Sequence, residues 1–162
     1  MMKKLLTFAF ALCTTFAFAQ TFVSTNPENK NVVLEEFTGI TCTFCPDGHV
    51  IGQGLHDANP NDVFLINIHA GGYANPTGPG TDFRTSFGSA IDGQSGLAGY
   101  PAGTVNRHNF PGLEQGSAGA TAMGRANWAT AATQTLTEPS PVNVATQASV
   151  DLSSGIITVD VE

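Results

Sequence analysis

The stretch Asn31-Val32-Val33-Leu34-Glu35-Glu36-Phe37-Thr38-Gly39-Ile40-Thr41-Cys42-Thr43-Phe44-Cys45-Pro46 passes from a strand pattern directly into a Cys-x-x-Cys pair. The apolar and β-branched residues of 31–37 favour an extended chain, and Gly39 interrupts it. A helix is expected from Pro46 to about Asn59, with Val50, Ile51 and Leu55 on one side. Its glycines Gly48, Gly52 and Gly54 weaken that helix by up to ~1 kcal/mol each. A dithiol in this position has three readings. A zinc half-site needs two further ligands. A structural bridge over so short a loop removes only about 2 kcal/mol of unfolded-state entropy. A redox pair needs a strand before it and a helix after it, and both are present. The unpaired N–H groups and partial positive charge of a helix N-terminus favour the thiolate, the attacking species in disulfide exchange.

Further along, Val63-Phe64-Leu65-Ile66-Asn67-Ile68-His69 is nearly continuous in apolar residues, which suits a strand covered on both faces. Residues 70–80 are rich in Gly and Pro and read as a loop. Phe83, Phe87 and Ile91 recur at helical spacing after a cap at Thr81. Thr104-Val105 begins another strand, and the Ala-rich stretch from Ser117 to about Thr137 reads as a closing helix. Alternating strands and helices predict an α/β layer fold over residues 31–137. Glu138-Pro139-Ser140-Pro141 is a linker. In residues 142–162 apolar and polar positions alternate around Ser153-Ser154-Gly155, a hairpin signal. A lone hairpin is marginal, so 142–162 is expected to be the start of a truncated β domain.

These features together resemble the thioredoxin superfamily. The resemblance rests on the strand leading into Cys42-x-x-Cys45, the central strand Leu65-Ile66-Asn67-Ile68, and Gly96-Leu97-Ala98-Gly99-Tyr100-Pro101-Ala102, which is similar to the family's Gly-x-x-Gly-x-Pro segment. More narrowly, Glu-Glu-Phe-Thr-Gly before the pair and Cys-Pro-x-Gly-His after it resemble exported thioredoxin-like proteins associated with the outer membrane of Gram-negative bacteria. The resemblance implies a thioredoxin-like fold and a site of Cys42 (nucleophile), Cys45 (resolving thiol), Pro101 (cis, shaping a substrate groove) and Glu36 (a buried carboxylate beneath the dithiol). It implies no cofactor. Partners would be exported protein thiols or disulfides and a redox partner protein.

For Glu36, the acid–base role stands beside a plainer one, in which Glu35 and Glu36 are solvated charges at a strand end. Thr41 stands where the family often has Trp, and Ala102 where it often has Thr. Pro46 discourages helical geometry at Cys45, so the helix is expected to start at Pro46. Cys42-x2-Cys45-x3-His49 also spaces three ligands for zinc or copper, with His56 or His69 as a fourth. A metal carrier and a non-catalytic module of the outer envelope with a static disulfide are the alternatives to exchange. His69 reads as a strand-end residue, and Arg107 and His108 as surface polar groups.

The first nineteen residues read as a secretory signal: Lys3 and Lys4, an apolar run from Leu5 to Phe18, and Ala17-Phe18-Ala19 before Gln20. Cys13 lies inside it, behind a Leu12 bulkier than a lipoprotein signal favours. Residues 20–30 read as a polar, extended leader. Export to the periplasm, outer membrane or cell surface follows, and an exported dithiol can be oxidised. Without Lys3 and Lys4, four basic residues face thirteen acidic ones, a net charge of −9. That balance disfavours nucleic-acid binding. Charged residues make up only 12% of the chain, so the compositional signature of disorder is absent.

Overall fold

The computed structural model describes residues 22–162. The signal-like segment, its cleavage pattern and the beginning of the leader lie outside the described residues. The chain forms two compact units.

The larger unit, 27–141, is built on a four-stranded mixed sheet in the order β2-β1-β3-β4. Strand β1 (Val32–Thr38) pairs in parallel with β2 (Val63–His69) and antiparallel with β3 (Ala102–Val105), which pairs antiparallel with β4 (Met123–Gly124). Helix α1 (Cys45–Ala58) connects β1 to β2, α2 (Ser86–Ser95) precedes β3, and α3 (Trp128–Leu136) follows β4. Successive strand residues point to opposite faces, and each face has its own core. On one, Val32, Leu34, Val63 and Val105 meet Trp128, Ala131 and Ala132 of α3, with Ile51 and Leu55 of α1 beside them. On the other, Phe37, Ile68 and Ala102 pack with Ile91 of α2. This is a mixed α/β, thioredoxin-like fold.

Several expectations need correction. Helix α1 begins at Cys45, one residue before Pro46. The Cys45 N–H donates to Cys42 O at 3.4 Å, which draws Cys45 into the first turn. Pro46 then takes the second position, where an absent N–H leaves no intrahelical bond broken. Val50 does not share the side of Ile51 and Leu55 but stands in solvent. Cover on both faces of β2 is incomplete: Phe64 and Ile66 are exposed, since α2 reaches only the Ile68 end. The cap of α2 is Thr85, whose Oγ1 accepts from Gly88 N at 2.9 Å, while Thr81 closes the turn at 77–81. Phe83 and Phe87, expected on the helix's apolar side, are exposed.

The largest departure is at 117–137. Instead of one helix, this stretch holds a turn, strand β4, a single 3-10 turn (Arg125–Asn127) and the shorter α3. Met123 is held opposite Gly103 in the sheet, and Gly119 and Gly124 interrupt the Ala-rich run. At the other end of the unit, Asn29 bridges Pro139 and Ser140 N donates to Glu28 O, so leader and linker run side by side.

The second unit contains, among the described residues, 22–26 and 142–162. It holds the antiparallel hairpin of β5 (Thr146–Asp151) and β6 (Ile156–Val161), turned at Gly155 with φ +69°. Val150, Ile157, Val159 and Val161 share one face of the hairpin and are exposed.

Candidate dithiol site

The end of β1 and the start of α1 bring Cys42 and Cys45 together as a disulfide, with an S–S distance of 2.01 Å and a Cα–Cα distance of 5.4 Å. Cys42 is the more accessible of the two, at 7% exposure against 1% for Cys45. Phe44, between them, is exposed. The loop after β2 packs on this turn: Thr41 N and Oγ1 both donate to Tyr73 O, at 3.1 and 3.0 Å. Gly39 permits that approach, because a Cβ there would lie 2.2 Å from the Tyr73 backbone. Tyr73 in turn meets Tyr100 edge-on, with ring centroids 5.7 Å apart. The Tyr100 hydroxyl donates to Asp92 Oδ1 at 2.7 Å, and burial together with that bond pushes the Tyr100 pKa upward. The Tyr100–Pro101 peptide is cis.

On its inner side α1 meets Glu36 of β1 at Gly48, three residues after Cys45. A Cβ at Gly48 would meet Glu36 Oε1 at 2.6 Å and the Pro101 and Trp128 side chains at 3.2 Å each. One turn on, Gly52 faces Leu34, Leu65 and Glu36. With Cys45 they form the buried face of the helix. Two of the three glycines that weaken this helix in isolation, Gly48 and Gly52, are the positions that let it lie close to the carboxylate. Their four-residue spacing, in phase with Cys45, was the sequence signal for it.

Both Glu35 and Glu36 are 4% exposed, so neither is a solvated strand-end charge. They point to opposite faces and take different partners. Glu35 receives two bonds from Arg107, Nε to Oε2 at 2.7 Å and a terminal nitrogen to Oε1 at 2.5 Å. Arg107 is therefore more than a surface polar group. Glu36 Oε2 stands 3.0 Å from His49 Nδ1, while Glu36 Oε1 is buried without a hydrogen-bond partner. Burial raises the Glu36 pKa, and the charge and hydrogen bond of His49 offset part of that rise.

His49 thus faces the carboxylate; its Nε2 lies 3.4 Å from Thr38 Oγ1. His56 Nδ1 lies 2.7 Å from Val63 O. His69 ends β2 with Nδ1 buried and unpartnered, and burial, then the nearby His49, lowers its pKa. Among the described residues, no three His, Cys, Asp or Glu side chains are grouped to hold a metal ion. Nor is any described helix long and apolar enough to cross a membrane.

The fold and the closed Cys-x-x-Cys pair define a thioredoxin-like α/β domain with a disulfide at its strand-to-helix turn. No family model and no curated protein matches the chain. Among solved structures, HBP35 of Porphyromonas gingivalis is similar at 25% identity with a TM-score of 0.49. The match covers 75% of this chain and 37% of that one.

Proposed function

We propose that this protein is an exported member of the thioredoxin superfamily that exchanges thiols and disulfides with protein substrates. The reading rests on one observation: a closed Cys42–Cys45 pair at the head of a helix whose first turn lies against both a buried carboxylate and a cis-proline. In the dithiol form the Cys42 thiolate attacks a substrate disulfide. One substrate sulfur bonds to Cys42, and the other leaves as a thiolate. Cys45 then attacks Cys42 Sγ, the Cys42–Cys45 bond closes, and the second substrate sulfur leaves. Two electrons pass to the substrate, and a reduced partner dithiol restores the pair. The same steps reversed oxidise a substrate. The greater accessibility of Cys42 supports its role as the attacking sulfur. The signal-like first nineteen residues support action in the periplasm or at the outer membrane, where protein disulfides persist.

The test is turnover of a protein disulfide supplied with a dithiol reductant. Cys42→Ser should abolish it, and Cys45→Ser should accumulate a mixed disulfide with the substrate. Equal turnover by wild type and Cys42→Ser would end this reading and leave a static disulfide in a binding module.

A further inference from the structure

Resting on the exchange reading above, we infer that His49 is a positioning residue that forms the outer end of a two-residue proton path, Glu36 to His49, connecting the buried side of the dithiol with solvent. The geometry is specific. Glu36 is sealed between β1 and α1, and among the described residues His49 is the one side chain hydrogen-bonded to it. The His49 side chain is 40% exposed, against 5% for that of Glu36, so the pair spans from interior to water. His49 follows directly on Gly48, where the missing Cβ leaves room for the carboxylate to reach it. The second carboxylate oxygen, Oε1, points at the first turn of α1 and has no partner while the cysteines are joined. Cys45 lies on that same buried helix face. A reduced Cys45 supplies the donor that this oxygen lacks.

The surrounding groups leave His49 as the counter-charge. From β2, Asn67 pairs in register with Glu36, and His69 is held toward its neutral form by burial. The approach from α3 is the Trp128 ring, and from the loop before β3 it is Pro101. Thr38 of β1 contributes only a hydroxyl. On the solvent side of the first turn of α1, Asp47 is paired with Arg125. Glu35 and Arg107 neutralise each other on the opposite face of the sheet.

The step balances as follows. The Cys45 S–H gives its proton to Glu36, and the resulting thiolate attacks Cys42 Sγ of the mixed disulfide. The Cys42–Cys45 bond forms, and the bond from Cys42 to the substrate breaks with its electron pair. The substrate thiolate takes a proton from water. Glu36 is then a carboxylic acid and no longer holds the charge on His49, so His49 gives a proton to solvent and takes up that of Glu36, which returns the pair to its starting charges.

The experiment measures the resolution rate, as decay of the mixed disulfide, from pH 5 to 9 in wild type, His49→Gln, Glu36→Gln and the double variant. Glutamine keeps a donor to the carboxylate but holds no charge. His49→Gln should slow resolution about tenfold near neutral pH, a fraction of what positioned acid–base groups usually contribute. It should also move the acid limb of the profile to higher pH. Glu36→Gln should remove that limb and make His49→Gln silent in the double variant. Superimposable profiles for wild type and His49→Gln would overturn this inference while leaving exchange intact. Absence of turnover in wild type would overturn both. A second readout is the Glu36 carboxyl NMR titration in wild type and His49→Gln: a move to higher pH in the variant is expected, and an unchanged curve would overturn the path.

Discussion

The carboxylate of Glu36 occupies the space that a side chain at position 48 would fill, with Oε1 2.6 Å from the place of a Gly48 Cβ. A methyl group there meets a buried carboxylate and two rigid neighbours, the Pro101 and Trp128 rings at 3.2 Å. The helix-propensity gain of up to ~1 kcal/mol is outweighed by overpacking of about 1–3 kcal/mol. Gly48→Ala should therefore lower stability in urea unfolding and impair exchange. Gly54, with nothing within 4 Å, is the control. Gly54→Ala should stabilise by up to ~1 kcal/mol and leave exchange unchanged.

Burial holds the Glu36 pKa above its ordinary 4.5 despite the opposing influence of His49. The folded protein therefore keeps this proton at pH values where the unfolded chain has lost it. The contribution is fully present below the unfolded pKa and is lost as pH rises through the raised folded value. In the oxidised protein, Glu36→Gln should remove this decline. Urea midpoints measured from pH 4 to 8 should fall less steeply in the variant than in wild type.

Glu114 behaves in the opposite sense. Its own N–H, the Asn109 side chain and the N–H groups of Gly112 and Gly119 hold its pKa down to about 2. Its contribution is present above the unfolded carboxylate pKa and lost as pH falls toward 2. Thermal midpoints between pH 2 and 5 should drop less in Glu114→Gln than in wild type.

The buried Glu35 depends on Arg107, which is itself half-exposed. Arg107→Ala leaves a desolvated carboxylate with water as its remaining partner, at a cost of about 2 kcal/mol, below the range for a fully buried pair. The double variant Glu35→Gln/Arg107→Ala should recover part of that loss. Urea unfolding of the four proteins in the cycle measures the coupling, and strictly additive effects would refute it.

Helix composition was a poor guide where the sheet competed for the same residues. The alanines of 117–137 carry helix propensity, yet Met123 is held in β4 opposite Gly103, and only Trp128–Leu136 forms α3. Thr81 and Thr85 are equally good caps by residue type. The turn at 77–81 engages the first and leaves the second to start α2. Phe83, Phe87 and Val50 fit an apolar helical face by spacing, yet stand in solvent. Periodicity marks a candidate face without saying whether another element covers it.

Taken alone, the sequence determined the order of strand, Cys-x-x-Cys turn and helix, because β-branched runs, Gly39 and Pro46 act through local backbone preferences. It also placed the dithiol at a helix N-terminus. Only the tertiary structure decided which charges are buried and with whom. Glu35 is joined to Arg107 across 72 positions of chain, Glu36 to His49 across the β1–α1 packing, and Pro101 to Gly48 by the pairing of β1 with β3. These pairings depend on strand register and helix approach, which no local residue preference encodes.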